Sequence, residues 1–178
     1  MWRIQSQKSR YLVLIYFLFA IFFIYLVIPA SFNGPGFSVK HSRFTWIKQM
    51  KILEYPLDES GEILFKGINY QLQITYINYV READPINITE KLISYLEDNG
   101  IVSERSNTVL EKINDYDFYT TELIFSDGVD SLYLIYSINF NSDNESLYYF
   151  ICSSTVNTPR DVMQKYLNTF NVKQTIIN

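Results

Sequence analysis

Residues 132–154 read LYLIYSINFNSDNESLYYFICSS, and this stretch decides the fold. The period-two pattern of a strand with one buried face runs along 132–140. Its apolar positions are Leu132, Leu134, Tyr136, Ile138 and Phe140. The polar segment 141–145 is typical of a turn. Residues 147–154 are apolar at even and odd positions alike, which predicts a central strand covered on both faces. The stretch therefore predicts an antiparallel hairpin at the centre of a sheet.

Upstream of this hairpin the same period-two pattern predicts three more strands, near 70–76, 108–113 and 116–125. A helix is predicted between the first two of them. Asn87 is its expected N-cap and Gly100 its expected end. The apolar stripe of this helix comprises Ile88, Leu92, Ile93 and Leu96.

Downstream of the hairpin a second helix is predicted, with Thr158 as N-cap and Pro159 at its first position. Its apolar face comprises Val162, Met163, Tyr166, Leu167 and Phe170. The late strands are joined by hairpin-length connections, so the order strand, helix, strands, helix predicts an α+β fold. In such a fold the two main helices pack on an antiparallel sheet.

The N-terminal part of the chain carries a different signal, an uncharged stretch between Arg10 and Lys40. Fourteen of the eighteen residues in 11–28 are Leu, Ile, Val or Phe. At a helix centre they would contribute roughly −4 to −8 kcal/mol to membrane insertion. This predicts a transmembrane helix over 11–29 that ends at Pro29, with the N-terminus inside. A cleaved signal peptide is the alternative.

These signals divide the 178 residues into four parts. We expect a cytoplasmic tail (1–10), the transmembrane helix (11–29), a basic juxtamembrane connector (30–53) and an extracytoplasmic α+β domain (54–178). The connector contains basic and aromatic side chains suited to anionic headgroups, although an ordinary solvated connector explains them equally well. The candidate contacts with membrane lipid are Lys40, Arg43, Trp46, Lys48 and Lys51.

Charge is distributed unevenly along the chain. Beyond Leu53 there are eight basic and nineteen acidic residues, a net charge of −11. A nucleic-acid surface needs clustered Lys and Arg, so this charge disfavours nucleic acid as a partner. An acidic domain instead favours a basic protein partner, because electrostatic steering speeds their encounter.

The residue types that carry most site chemistry are scarce. Cys152 is the only cysteine and His41 the only histidine, which excludes an intramolecular disulfide and most metal sites. We expect Cys152 to be a buried, small apolar residue within its strand. The spacing of Asn141, Asp143 and Glu145 imitates a calcium loop, but the later ligand positions are missing, which favours a plain turn. The sequence therefore predicts no enzymatic activity, no cofactor and no metal.

A candidate protein-binding face is formed by the alternate strand positions, on the sheet face opposite the predicted core. Gln71 and Gln73 are expected to share one polar sheet face with Phe118, Tyr133 and Ile135. Aromatic side chains on a polar sheet are common at binding surfaces. The alternative is a face that is merely solvated or covered by a helix.

The final segment TPRDVMQKYLNTF, residues 158–170, follows a paired hairpin and ends in a Phe. This order resembles the PsbP/Mog/DcrB-like superfamily, in which a last strand runs into a closing helix that ends near a Phe. The resemblance covers about residues 63–172 and is one of pattern. It implies an α/β/α sandwich used as a binding or assembly module, usually without catalysis.

Three functions are consistent with these features. The first is a membrane-anchored, non-enzymatic extracytoplasmic accessory subunit that holds a protein partner at the outer face of the membrane. The second is an immunity protein, tethered to the inner membrane, that neutralises a toxin delivered to the periplasm. The third is an enzyme.

Overall fold

The computed structural model describes residues 2–51, 60–99, 104–126, 130–156 and 159–173. It confirms the α+β class, with two antiparallel sheets and three helices in these ranges. The helices are α1 (Trp2–Val27), α2 (Pro85–Asp98) and α3 (Pro159–Leu167). None of the helices in the described ranges is both long enough and apolar enough to cross a membrane, so the structure does not support the transmembrane helix predicted over 11–29.

The strands form a three-stranded and an eight-stranded sheet. The small sheet has the order β1–β2–β11, and the large sheet has the order β3–β4–β5–β10–β9–β8–β6, with β7 also paired to β8. Their bounds are β1 Ala30–Gly34, β2 Phe37–His41, β3 Trp46–Lys51, β4 Ser60–Lys66, β5 Tyr70–Ile77, β6 Glu104–Arg105, β7 Val109–Ile113, β8 Tyr116–Ser126, β9 Ser131–Asn141, β10 Ser146–Ser154 and β11 Asn171–Val172.

The β9–β10 hairpin lies where the sequence predicts it, inside the large sheet. Phe150 of β10 pairs with Ser137 of β9 on one side and with Ile74 of β5 on the other. Side chains of β10 enter two separate hydrophobic clusters on opposite sides of the sheet. The prediction of a central strand covered on both faces is therefore confirmed.

The segment predicted as a basic connector, 30–53, instead contributes three strands to the fold. Phe37 and Val39 of β2 are fully buried in the main core, at 0% and 1% exposure. The apolar alternation in β2 is only five residues long, and its partner β11 lies about 130 positions away, so a local pattern does not reveal it. The folded domain thus begins almost immediately after α1.

The main core lies on the sheet face that α3 and the small sheet cover. Phe170, just after α3, is at its centre and contacts five aromatic rings at centroid distances between 5.1 and 5.9 Å. These rings belong to Phe37, Tyr116, Phe118, Tyr148 and Phe150. Met163, Tyr166 and Leu167 of α3 are buried in the same core, so α3 packs on this face of the sheet.

The opposite sheet face carries a second, smaller cluster under α2. Buried Tyr136, Ile138 and Leu147 pack there with Ile88 and Leu92 of α2. One main helix therefore covers each face of the sheet, as the predicted sandwich requires.

Helix α2 begins earlier than the sequence pattern suggests. The side chain of Asp84, not Asn87, is the N-cap, and it accepts hydrogen bonds from the backbone amides of Ile86 and Asn87. Pro85 occupies the first helical turn, where its missing N–H costs nothing. The predicted stop at Gly100 and cap at Thr158 lie outside the described residues.

Candidate functional site

The C-terminal end of α1 is tied to the turn between β2 and β3 by Arg43. The guanidinium carbon of Arg43 lies 3.8 Å from the centroid of the Tyr25 ring. Its Nε also donates a hydrogen bond of 3.1 Å to the backbone carbonyl of Ile28. A cation at this position satisfies a carbonyl that follows the helix and complements the negative end of the helix dipole. The helix end therefore has a defined attachment to the domain.

Exposed aromatic and basic side chains precede and follow Arg43 in the chain. Trp46 is 82% exposed and Phe44 is 65% exposed, and Lys40 is exposed as well. We call Tyr25, Lys40, Arg43, Phe44 and Trp46 the helix-end surface. Of the other predicted headgroup contacts, Lys48 lies two residues after Trp46 in β3 and is exposed, whereas the side chain of Lys51 lies outside the described part.

A cleft of about 450 Å³ opens between the end of α1, the end of β2 and α3. Its size falls within the ordinary range for small-ligand sites. We call it the helix-end cleft. It is lined by Val27, Pro29, Lys40, His41, Ser42, Tyr70, Val162, Lys165, Tyr166 and Thr169.

Two lysines are the charged residues in the lining of this cleft, and His41 lines it as well. Lys40 comes from β2 and Lys165 from the last turn of α3. No acidic residue lines the cleft, and neither lysine forms an ion pair with any residue that the structure describes. The backbone amide of Lys40 donates a 3.0 Å hydrogen bond to Thr169 Oγ1, which holds β2 against the end of α3.

The hydroxyl groups at the cleft form a connected row. Tyr70 OH lies 3.2 Å from Thr45 Oγ1 and 3.1 Å from Tyr166 OH. Burial raises the pKa of Tyr166, so its hydroxyl stays neutral at physiological pH. The row supplies neutral hydrogen-bonding groups and leaves the lysines as the fixed charges.

His41 lies at the edge of the cleft. Its Nδ1 is 2.8 Å from the carbonyl oxygen of Ser42. A carbonyl only accepts, so Nδ1 is the donor in this contact and carries a proton. The imidazole ring also packs on Phe65, with 5.8 Å between ring centroids.

The predicted protein-binding face is wrong as a single surface, because its members lie on opposite faces of the sheet. Phe118 and Ile135 belong to the main core and are 0% and 1% exposed. Gln71 and Gln73 lie on the other face, since Gln73 pairs with Ile151 rather than with a residue of the main core. The parity of one strand relative to another depends on their register, which the separate sequence patterns do not contain.

Tyr133, the remaining member of that predicted face, is half-buried in a second cleft of about 280 Å³. Arg160 also lines this cleft and bonds to Glu122 and, at 3.0 Å, to Glu111. The hydrogen bond that Arg160 donates to Glu122 is the largest influence that raises the pKa of Arg160. The guanidinium of Arg160 therefore already has two carboxylate partners.

Two further predictions about individual residues have a clear outcome. Cys152 is fully buried in β10, as predicted, and burial raises the pKa of its thiol to about 12. It is therefore not a nucleophile at neutral pH. The segment 141–145 forms a turn, in which Asn141 Oδ1 accepts a 3.0 Å hydrogen bond from the amide of Asn144. Within the described ranges, no three His, Cys, Asp or Glu side chains are grouped as metal ligands.

Lys165 is the residue of the helix-end cleft that the sequence pattern misses. It lies 125 positions after Lys40, and in the sequence it appears only as the cation near the end of an amphipathic helix. Its spacing from the apolar face predicts that it is exposed, but not what it faces. Only the packing of α3 beside β2 reveals that the two lysines share a cleft.

No family model and no curated protein matches this sequence. Solved structures do match. A protein from Bacteroides thetaiotaomicron aligns over 81% of this chain with a TM-score of 0.52 and 13% identity. This chain spans about half (48%) of that protein.

Two other matches cover nearly whole proteins. The Ran-binding protein Mog1p of Saccharomyces cerevisiae aligns over 82% of this chain and 95% of its own, with a TM-score of 0.52 and 6% identity. LpqN of Mycobacterium tuberculosis, a protein involved in cell envelope biogenesis, aligns over 83% and 90%, with a TM-score of 0.53 and 8% identity. At this identity the likeness is one of fold. It confirms the predicted resemblance to the PsbP/Mog/DcrB-like superfamily at that level.

Proposed function

We propose that this protein is a membrane-attached, non-enzymatic accessory module, in which α1 embeds in the bilayer and the domain binds a protein partner at the extracytoplasmic face. The observation that carries this proposal is the exposure of α1. Sixteen large apolar side chains between 11 and 28 are 48–72% exposed. An apolar surface of this extent is far larger than soluble monomers leave to water, so it needs a cover.

Lipid is the cover that best fits the distribution of these side chains. They occur on all sides of the helix, from Tyr11 to Ile28, and no charged residue interrupts them. A protein groove covers one side of a helix, whereas a bilayer surrounds it. The contact of Arg43 with Tyr25, together with an exposed Trp46 three residues after Arg43, is the combination expected at a headgroup layer.

The accessory role is supported by the neighbours of the fold. LpqN is involved in cell envelope biogenesis, and Mog1p is a Ran-binding protein. An accessory module is compatible with both descriptions, and the envelope-related role is compatible with that of LpqN. The acidic charge beyond Leu53 favours a basic partner.

The surface we propose for that partner is the sheet face that includes Gln71 and Gln73. Gln73 lies between Leu64 of β4 and Ile151 of β10 in the sheet register. Leu64 is half-buried and Gln71 is exposed, whereas Ile151 packs against the cluster under α2. Half-buried apolar side chains around polar ones are the usual composition of a binding surface.

Membrane attachment is tested with the full chain in its host. Phe19→Lys places a charge in the middle of α1, and we expect it to move the protein out of the carbonate-resistant membrane fraction. Ile68→Lys is the matched control, because Ile68 is 93% exposed in a loop of the domain. Equal extraction of both variants and the unaltered protein would contradict membrane attachment through α1.

Partner binding is tested with a photo-crosslinking amino acid in living cells. At Gln73 we expect a discrete crosslinked protein product. Tyr95, 65% exposed on α2, is the control position and should not yield that product. The same product pattern at both positions would show that the face containing Gln73 is not the interface.

A further inference from the structure

The helix-end cleft combines an apolar lining with two lysines that have no acidic partner among the described residues. Val27, Pro29 and Val162 supply the apolar part, and Lys40 and Lys165 supply the charge. A cleft of this composition suits a ligand that is itself amphipathic and negatively charged. We propose that it binds one anionic phospholipid from the surrounding bilayer.

The charge of the cleft favours a phosphate group. Lysine ammonium groups are strong donors to phosphate oxygens, and each contributes more when it has no competing carboxylate. Arg43, three residues after Lys40, does not line the cleft and directs its guanidinium to Tyr25 and the Ile28 carbonyl. Lys40 and Lys165 are therefore the charges left to hold the phosphate.

The apolar part of the cleft is continuous with the exposed surface of α1. Val27 is the last residue of α1 and lines the cleft, and Pro29 follows it. A lipid with its glycerol phosphate in the cleft has its acyl chains beside the helix. A soluble phosphate compound would leave this apolar path unused, which favours the lipid over free phosphate.

The cleft is also held open by contacts that do not involve the lysine side chains. The backbone of Lys40 is bonded to Thr169, and the hydroxyls of Thr45, Tyr70 and Tyr166 are bonded to one another. Replacing the two ammonium groups should therefore change the binding of lipid without disturbing the walls of the cleft.

This lipid site rests on the proposed membrane attachment, and the experiment separates the two. The full chain is reconstituted into vesicles of phosphatidylcholine and phosphatidylglycerol and then transferred to detergent. The phosphatidylglycerol that stays bound is counted by native mass spectrometry. We expect one retained molecule, and a loss of at least about tenfold in its affinity in Lys40→Gln/Lys165→Gln.

The matched control is Lys91→Gln/Lys112→Gln, which removes the same charge from two exposed lysines outside the cleft. It should retain phosphatidylglycerol as the unaltered chain does. Equal losses in both double variants would overturn the site, because general surface charge would then explain the binding. Release of the lipid by excess inorganic phosphate would overturn it too, in favour of a phosphate site.

The unaltered chain alone also gives a decisive result. If it incorporates into neutral phosphatidylcholine vesicles but retains both lipids equally, the lipid site is wrong while membrane attachment stands. If it fails to float with vesicles of any composition, the proposed attachment itself is wrong. Circular dichroism of each variant confirms that the substitutions leave the fold intact.

Discussion

The guanidinium of Arg43 lies over the ring of Tyr25, 3.8 Å from its centroid, and joins the last turn of α1 to the turn that precedes β3. The same side chain bonds to the carbonyl of Ile28. Arg43 thus contacts both the last turn of α1 and the backbone immediately after the helix. This attachment places the helix-end surface and the helix-end cleft at the C-terminal end of α1. In the proposed membrane attachment, the lipid headgroups lie at this end of the helix.

Replacing Arg43 should loosen this attachment. In Arg43→Gln we expect faster hydrogen exchange at the amide of Ile28, which bonds to the carbonyl of Ile24. A cation–π contact and a hydrogen bond together are worth about 1–2 kcal/mol, or roughly five- to thirtyfold in the exchange rate. Lys48→Gln is the control, and an unchanged rate in Arg43→Gln would contradict the attachment.

Tyr136 offers a case in which removing a polar group should stabilise the protein. Its hydroxyl is buried and has no hydrogen-bond partner among the described residues. Leaving such a group unsatisfied costs about 1–3 kcal/mol, so Tyr136→Phe should raise the free energy of unfolding by about 1 kcal/mol. Urea unfolding in detergent micelles measures this change.

Tyr70→Phe is the control for Tyr136→Phe, and we expect it to change stability in the opposite direction. The hydroxyl of Tyr70 contacts both Thr45 and Tyr166, so its removal should lower the free energy of unfolding by about 1 kcal/mol. Destabilisation of similar size in both variants would show that the hydroxyl of Tyr136 is satisfied after all.

Phe170 should be among the most sensitive positions for stability. It is 1% exposed, and its ring contacts five other aromatic rings. Phe170→Ala removes these contacts and leaves a cavity, at an expected cost of about 3–5 kcal/mol. Tyr95→Ala, at a 65% exposed position on α2, should stay within about 0.5 kcal/mol of the unaltered chain.

The buried thiol of Cys152 gives a prediction for alkaline pH. Burial raises its pKa from 9.0 to about 12, so between these values the folded state keeps a proton that the unfolded state has lost. Stability must then fall as pH rises through this window. The contribution is fully present below pH 9 and is lost toward pH 12.

Cys152→Ala isolates most of this contribution, because Cys152 is only the smallest of the influences on the pKa of Tyr166. The difference in unfolding free energy between the unaltered chain and Cys152→Ala should shrink above pH 9, by at most about 1.4 kcal/mol per pH unit. Denaturant titrations at pH 8 and pH 10.5 measure it, and a constant difference would show that the thiolate is not excluded by the fold.

Local patterns predict the parts of this fold that local physics decides. The hairpin of β9 and β10 has a clear period of two and a polar turn, and α3 has Pro159 and an apolar face that ends near Phe170. The start of α2 is harder to predict from the local sequence. An Asp-Pro pair can end a strand, or it can supply the N-cap and the first residue of a helix. The side chain of Asp84 decides between them through its bonds to two amides.

Long-range pairing is what the sequence patterns do not contain. The pairing of β2 with β11 joins Ser38 to Asn171, which no local pattern indicates. The registers of β5, β10, β9 and β8 together place Gln73 and Phe118 on opposite faces, although each strand alternates as expected. The lysines of the helix-end cleft come together for the same reason, through packing of distant segments.

The central claim is that α1 holds the folded domain at the extracytoplasmic face of a membrane. The most direct test fuses an enzyme that is active only outside the cytoplasm, such as alkaline phosphatase, after Asn178. We expect the full-length fusion to be active and to sediment with membranes after a carbonate wash. An inactive fusion, or an active but shortened form released into the soluble fraction, would contradict the claim.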